Sequence, residues 1–134
     1  MGTFDVVTCG SLMLHLRDPL RALEAIRSVC GGVFMSSEEI EPVSTVVSRR
    51  PMMKLNGSGP LCQWLVPNAA GHHRMVFSAG FQIIKAIRPY ANPFGVSHPP
   101  RSRKPRQLLN YAAVRLLTGR EGVLHSAVLA RPRV

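Results

Sequence analysis

The stretch that decides the fold is Phe4–Pro19 (FDVVTCGSLMLHLRDP). Residues 4–9 form a nearly continuous apolar run, which is typical of a strand covered on both faces of a parallel sheet. The run breaks at Gly10 and Ser11, and a helix signal follows within a few residues. The sequence therefore predicts a strand–loop–helix unit of an α/β protein. Its loop lies at the carboxyl end of the strand, the edge where ligands bind in such sheets.

A second strand follows this unit. Asp18 and Pro19 indicate a helix start, because the Asp side chain accepts hydrogen bonds from free amides and proline suits the first helical position. We predict a helix over 18–30, ended by Gly31-Gly32, since glycine accepts the left-handed conformation. Residues 33–37 (VFMSS) then predict a second strand, parallel to the first. Together these elements form a βαβ unit.

The rest of the chain alternates between loops and short periodic segments. Residues 44–60 have the composition of a loop. Asn68 is predicted to cap a helix that Gly80 ends. The remaining predictions are a strand over 81–87, a Pro/Arg-rich loop over 89–106, a helix over 106–118, and a strand over 123–130 that pairs antiparallel with the strand at 81–87. The whole chain is predicted to be one partial domain, with a core over 1–87, an insert over 88–122 and a closing strand over 123–134.

Composition limits the classes of protein. The chain has 134 residues, 46% of them hydrophobic, and a formal net charge of +10. Its three cysteines are widely spaced, which argues against a disulfide framework and predicts a reducing, cytoplasmic setting. No apolar run approaches the roughly 20 residues of a membrane helix, and there is no signal-peptide pattern. From Arg88 onward there are nine basic residues and one acid, Glu121, and we interpret them first as a solvated surface.

The ordered series of motifs is similar to that of a known family. It consists of the F-D-V-V strand, the Gly-Ser loop, His15 with Arg-Asp-Pro, the G-G-x-F strand, the W-x-x-P-N helix entry at Trp64–Asn68 and a closing strand pair. It resembles the carboxyl-terminal half of class I S-adenosylmethionine-dependent methyltransferases. The segments at His15 and Trp64–Asn68 look closest to the branch of the tRNA wobble-uridine carboxymethyltransferases. The resemblance implies a partial Rossmann-like sheet, a βαβ unit plus an antiparallel closing pair, whose amino-terminal half is missing.

The resemblance also implies site residues. In the family, the loop after the fourth strand closes over the methionine end of S-adenosylmethionine, and Cys9, Gly10 and Ser11 occupy those positions. His15 and Asn68 are the implied acceptor contacts, although an N-cap role explains Asn68 equally well. The glycine-rich loop and the ribose-binding acid of the family have no counterpart in this sequence. We therefore expect the isolated chain to transfer no methyl group, with tRNA or a small molecule as the acceptor of the parent activity.

Few other residues have the types or spacing of a catalytic or metal-binding site. His72 and His73 are interpreted as surface residues, and no catalytic or metal-ligating set is predicted. His98 and His125 have no constellation around them in the sequence. Ser11 lacks the second glycine of a nucleophile elbow, which argues against a hydrolase.

Two further expectations concern partners. The alternative function is a basic module without enzymatic activity that binds RNA or protein through residues 88–134. The strand Phe4–Cys9 carries no Lys, Pro or bulge to protect an edge, and in a partial sheet it has an unpaired edge. We therefore expect the chain to self-associate through this strand.

Overall fold

The chain forms a mixed sheet with helices packed on it. The structure, a computed structural model, describes residues 2–57, 62–96 and 104–134. The strands are β1 (Phe4–Gly10), β2 (Cys30–Glu39), β3 (Met53–Leu55), β4 (Leu65–Pro67), β5 (Phe81–Ala86), β6 (Tyr90–Asn92) and β7 (Val123–Pro132). The α-helices are α1 (Pro19–Val29), α2 (Pro42–Val47), α3 (Ala69–Ser78) and α4 (Pro105–Thr118), and a 3₁₀ turn spans Met13–His15. Of the described helices, none is long and apolar enough to cross a membrane.

The main sheet has the order β1-β2-β7-β5, with β6 also paired to β7. β1 and β2 run parallel, as predicted for the βαβ unit. β7 is antiparallel to β2 on one side and to β5 and β6 on the other, which confirms the predicted closing pair. β3 and β4 form a separate two-stranded ribbon. The fold is therefore α/β, with its parallel strands at one side of a mixed sheet.

The core lies between the sheet and the helices α1 and α3. Alternate residues of β2 point toward it, and Phe34 is fully buried against Phe81 of β5, with ring centroids 4.6 Å apart. Leu23 of α1 and Val76 of α3 fill the same cluster, each with 0% exposure. A fully buried side chain of this size stabilises the fold by about 1.5–3 kcal/mol.

On the opposite face of the sheet, apolar side chains of β1 and β2 are exposed to solvent. Val6 of β1 lies beside Val33 of β2 in register, and Met35 follows two residues along the same face. Val6 is 62% exposed and Met35 is 49% exposed, and Phe4 near the start of β1 is 62% exposed. Within the described residues, β1 pairs with β2 alone, so its outer edge is unpaired.

The glycine pair after α1 corrects one prediction. Gly31 and Gly32 do not end the helix in a left-handed turn; α1 ends at Val29, and both glycines lie inside β2. A Cβ on Gly32 would lie 2.2 Å from the carbonyl oxygen of Asp5. Glycine is therefore required because β1 approaches β2 closely at this point, rather than because a turn is formed.

Two predicted loops contain short elements. The segment 44–60 includes part of α2, which Glu41 caps through Ser44 N, and the strand β3. The segment 89–106 includes β6, and α4 begins at Pro105. These elements are too short for sequence periodicity to show them, and pairing with β4 or β7 stabilises the two strands. The predicted end of α4 is confirmed, since Gly119 has a left-handed φ of 68°.

Candidate functional site

The loop that follows β1 lies at the carboxyl edge of the parallel strand pair. Ser11 N donates a hydrogen bond to the carbonyl oxygen of Ser37, 2.9 Å away, which holds the loop beside the end of β2. Ser11 has a φ of 50°, a conformation that residues other than glycine rarely adopt. Backbone strain of this kind costs about 1–3 kcal/mol and often accompanies functional sites. Cys9, Gly10 and Ser11 thus lie at the edge where sequence analysis expected a ligand.

A buried carboxylate lies beneath this loop. Glu38 of β2 is 1% exposed, and its Oε2 accepts a hydrogen bond from Met13 N at 3.1 Å. Its Oε1 lies 3.5 Å from the Cys9 thiol, which donates to it. Burial raises the pKa of Glu38 above its ordinary value. The carboxylate therefore fixes the start of the 3₁₀ turn and so the position of the loop.

The same pair keeps the Cys9 thiol protonated. Burial, and then the neighbouring Glu38 charge, raise the pKa of Cys9 to about 12. A thiol is a nucleophile only as the thiolate, so Cys9 is chemically inert at neutral pH. Glu38 was not among the predicted site residues. The signal was the alternation of Phe34, Ser36 and Glu38 on the buried face of β2.

A polar cluster extends from the loop across the ends of β2, β6 and β7. Ser11 Oγ lies 3.2 Å from Nε2 of His125, although 114 residues separate the two in the chain. Tyr90 Oη and Ser37 Oγ are 2.6 Å apart, and the Tyr90 ring lies beside the His125 ring. Asn92 Nδ2 is 3.5 Å from His125 Nε2. The prediction that His125 has no constellation around it was wrong, because antiparallel pairing of β7 brings these residues together. His98 lies outside the described residues.

His15 lies on the surface beside this loop. It is exposed, and its Nδ1 is 3.2 Å from the carbonyl oxygen of Cys62. Trp64 N donates to the carbonyl oxygen of Leu14 at 2.7 Å, so the segment before β4 runs next to His15. The Arg17 guanidinium stacks over the Trp64 ring at 4.3 Å. The acceptor contact of His15 stays a prediction, and the geometry leaves its imidazole accessible.

Asn68 has a structural role that accounts for its side chain. It is 1% exposed and caps α3, with Oδ1 accepting from Gly71 N at 2.7 Å, as predicted. The same oxygen accepts from Met52 N at 3.0 Å, and Nδ2 donates to the carbonyl oxygen of Arg50 at 2.9 Å. Asn68 therefore ties the segment before β3 to the start of α3. Its acceptor contact stays a prediction.

The two adjacent histidines are not surface residues, and that interpretation was wrong. His72 is 0% exposed, with Nε2 2.9 Å from Ser36 Oγ, while His73 Nε2 lies 3.3 Å from Ser126 Oγ. Burial, and then His73, lower the pKa of His72 to about 3, so it is neutral. Both histidines lie on α3 where it packs on the sheet, which no local pattern revealed. Among the described residues, no group of three metal-ligating side chains occurs.

A cavity of about 550 Å³ lies next to the polar cluster. Glu39 and Val123, which line it, adjoin His125: Glu39 is its register partner on β2, and Val123 lies two residues before it. The cavity has an apolar floor and a rim of amide and charged side chains. The floor and aromatic wall include Ile40, Val66, Phe94, Tyr111, Val114 and Leu124, and the rim includes Lys54, Asn56, Gln63, Arg106, Gln107 and Asn110. A volume of this size suits a small organic molecule.

Comparison with solved structures identifies the fold. No family model and no curated protein sequence matches the chain. The [4+2]-cyclase SpnF is similar over 98% of this chain and 52% of its own, at 17% identity and a TM-score of 0.58. The 1,6-didemethyltoxoflavin-N1-methyltransferase of Burkholderia thailandensis, crystallised with its substrate and S-adenosylhomocysteine, is similar over 98% of this chain and 44% of its own (14% identity, TM-score 0.54). An S-adenosylmethionine-dependent methyltransferase from Mesorhizobium loti is similar over 96% of this chain and 62% of its own (13% identity, TM-score 0.54).

These similarities establish a methyltransferase-type α/β fold and leave the reaction open. The chain spans between 44% and 62% of the length of the three structures. One of them is a cyclase, so the same fold accommodates different chemistry. Function must therefore be argued from the site.

Proposed function

We propose that this chain is the carboxyl-terminal part of an S-adenosylmethionine-dependent methyltransferase domain. One observation carries the proposal: the loop Cys9–Ser11 ends β1 at the carboxyl edge of a sheet whose fold is shared with methyltransferases. Ligands of open α/β sheets bind at this edge. In this proposal Cys9, Gly10 and Ser11 lie beside the methionine end of the cofactor, and His15 contacts the acceptor.

The described residues fit only one side of a cofactor site. A nucleotide cofactor needs a glycine-rich loop between a strand and a helix amino terminus, and an acid for its ribose. The only α-helix that directly connects two parallel strands in the described ranges is α1, and its amino terminus is closed by Asp18, which accepts from Arg21 N at 3.0 Å. We therefore propose that a further polypeptide segment completes the site, and we derive no chemical step through the cofactor from this chain alone.

The exposed sheet face and the unpaired edge of β1 support this view. In doubly wound sheets both faces are covered, yet Phe4, Val6 and Met35 are each about half exposed or more. An unpaired apolar edge is a template for another strand. We propose that the completing segment binds this edge and face, and that without it the chain self-associates through β1.

The acceptor in this proposal is a small molecule rather than tRNA. The cavity of about 550 Å³ next to the polar cluster has the size of small-molecule sites. Three of the six described arginines in residues 88–134 contact other parts of the chain: Arg115 pairs with Glu121 at 3.5 Å, and Arg131 donates to Gln82. Arg133 stacks on Phe77 and donates to its carbonyl oxygen. These contacts favour a solvated surface over the basic RNA-binding module.

Calorimetry with S-adenosylmethionine tests the cofactor proposal. It should be run on this chain and on a version extended with the residues encoded upstream of Met1. We expect no measurable heat from the chain alone and saturable binding to the extended version. Methyl transfer by the chain alone, or no binding by either protein, would show that the proposal is wrong.

Sedimentation measurements test the proposed self-association through the unpaired edge of β1. At tens of micromolar we expect the chain to self-associate and Val6→Lys to reduce the association, because a charge on an edge strand opposes pairing. Leu116→Lys is the matched control, since Leu116 is 74% exposed on α4, away from β1. A monomer whose sedimentation neither variant changes would contradict the proposed edge.

A further inference from the structure

The hydrogen bonds of His125 fix which of its nitrogens carries the proton. Nδ1 lies 3.0 Å from the carbonyl oxygen of Val123, and a carbonyl oxygen can only accept. Nδ1 therefore carries the proton and donates it, which leaves the lone pair on Nε2. The Ser11 hydroxyl, 3.2 Å from Nε2, is then the donor in that hydrogen bond. Ser11 and His125 form an oriented hydroxyl–imidazole pair.

The neighbours of the pair hold the imidazole in place and leave the hydroxyl open. The Tyr90 ring lies 5.8 Å from the His125 ring between centroids, and Asn92 Nδ2 approaches Nε2 at 3.5 Å. The titratable groups facing the imidazole are Tyr90 on β6 and Glu39 on β2, its register partner. His125 is 5% exposed while Ser11 is exposed. A ligand can therefore reach the Ser11 hydroxyl, and His125 acts through it.

The pair is not arranged for nucleophilic attack on an acyl group. That reaction needs free amide donors beside the serine to stabilise an oxyanion. The next amides along the chain, of Leu12 and Met13, donate to the carboxylate of Glu38, and Met13 N is 3.1 Å from Oε2. These two amides are therefore not free to stabilise an oxyanion next to Ser11. Proton transfer is the chemistry that remains for this pair.

We propose that Ser11 and His125 form a proton relay that deprotonates the methyl acceptor. This inference rests on the proposed function and names the class of its substrate, a neutral molecule whose nucleophile is a hydroxyl or a ring N–H. The O–H or N–H bond of the acceptor breaks and its proton passes to Ser11 Oγ, while the hydroxyl proton of Ser11 passes to Nε2 of His125. The electron pair stays on the acceptor atom, which becomes an anionic oxygen or nitrogen nucleophile. The imidazolium then returns its proton to water.

The acceptor class follows from the need for a base. A thioether, a carboxylate or an unprotonated tertiary amine carries no proton to remove, so a relay would contribute nothing to its methylation. An imidazole with a free lone pair is a general base for O–H and N–H groups, so the class comprises phenols, enols and heterocyclic N–H groups. Ser11 is the catalytic residue in this proposal, and His125 is the base that acts through it.

Two measurements on the chain itself test the relay without a methyl donor. Nitrogen-15 NMR of labelled histidine reports the tautomer of His125, and we expect the proton on Nδ1. Absorbance of 4-nitrophenol, a probe of the acceptor class, reports its ionisation at a pH just below its own pKa. We expect saturating chain to raise the ratio of phenolate to phenol about threefold, equivalent to about half a pKa unit.

Variants separate the relay from a structural role. Ser11→Ala and His125→Gln should abolish the rise in phenolate, and so should Ser11→Gly, which removes the hydroxyl and suits the positive φ at this position. Ser28→Ala, which removes an exposed serine hydroxyl on α1, is the matched control and should behave as the parent chain. Because Ser11 is exposed, its replacement tests the relay even where His125→Gln fails to fold. A proton on Nε2 of His125 would overturn the relay. So would a phenolate fraction that does not change when the chain is added, or one that rises equally with Ser11→Ala. Failure of S-adenosylmethionine to bind the version extended upstream of Met1 would overturn the proposed function and leave the proton relay standing.

Discussion

The buried His72 makes the stability of the fold sensitive to acid. It is 0% exposed between α3 and β2, where Ser36 is its hydrogen-bond partner. Burial, and then His73, lower its pKa from 6.5 to about 3. The unfolded chain therefore binds a proton near pH 6.5, whereas the folded chain binds it only near pH 3. Because the unfolded state takes up the proton first, the contribution of His72 to stability is present above pH 6.5 and is lost as the pH falls.

The size of this effect follows from the two pKa values. Between them, each pH unit removes about 1.4 kcal/mol of free energy of unfolding. Lowering the pH from about 7.5 to about 5 should therefore cost about 2 kcal/mol through His72 alone. Burial also lowers the pKa of His73, which adds to the loss. Glu38 acts in the opposite direction: burial raises its pKa, so proton uptake on folding stabilises the chain as the pH falls toward 4.5.

Comparison with a variant isolates the His72 contribution. His72→Gln keeps a side chain that can bond Ser36 and does not titrate. Urea denaturation followed by circular dichroism should show that this variant loses about 2 kcal/mol less than the parent chain between the two pH values. Ser28→Ala, at an exposed serine of α1, should lose as much as the parent. Equal losses for the parent and His72→Gln, within about 0.5 kcal/mol, would refute the reasoning.

Two further predictions concern the strand pair and the thiols. Gly32→Ala should lower the free energy of unfolding by about 1–3 kcal/mol, because its Cβ would lie 2.2 Å from the Asp5 carbonyl oxygen. Gly2→Ala is the control in the same denaturation experiment, because a Cβ on Gly2 would have nothing within 4 Å. Equal stabilities of the two variants would contradict the close approach of β1 to β2. Iodoacetamide at pH 8 should alkylate the exposed Cys62 first and Cys9 only after denaturation, since burial raises the pKa of Cys9 to about 12. Mass spectrometry that finds both thiols labelled at one rate would show that the Cys9–Glu38 pair does not persist in solution.

Local signals in the sequence determined the elements that start the fold. The apolar run at 4–9, the Asp18-Pro19 helix start and the Asn68 cap each depend on residues within a few positions of one another. Hydrophobic periodicity and capping act over one or two turns, so the sequence alone carries them. The antiparallel pairing of the last strand with β5 was predicted in the same way, from two apolar segments at the end of the chain. The candidate loop followed because it lies where the first strand ends.

The tertiary structure alone decided which side chains meet at the site. Ser11 and His125 are brought together by the insertion of β7 between β2 and β5, and no local pattern encodes that order. Glu38 and His72 are buried because β2 and α3 turn those positions toward the core, where neighbouring helices remove them from water. Burial and long-range pairing depend on the whole fold, whereas a propensity depends on the nearest residues. For that reason the sequence by itself determined the longer helices and strands, whereas packing determined the short elements and the chemistry of the side chains between them.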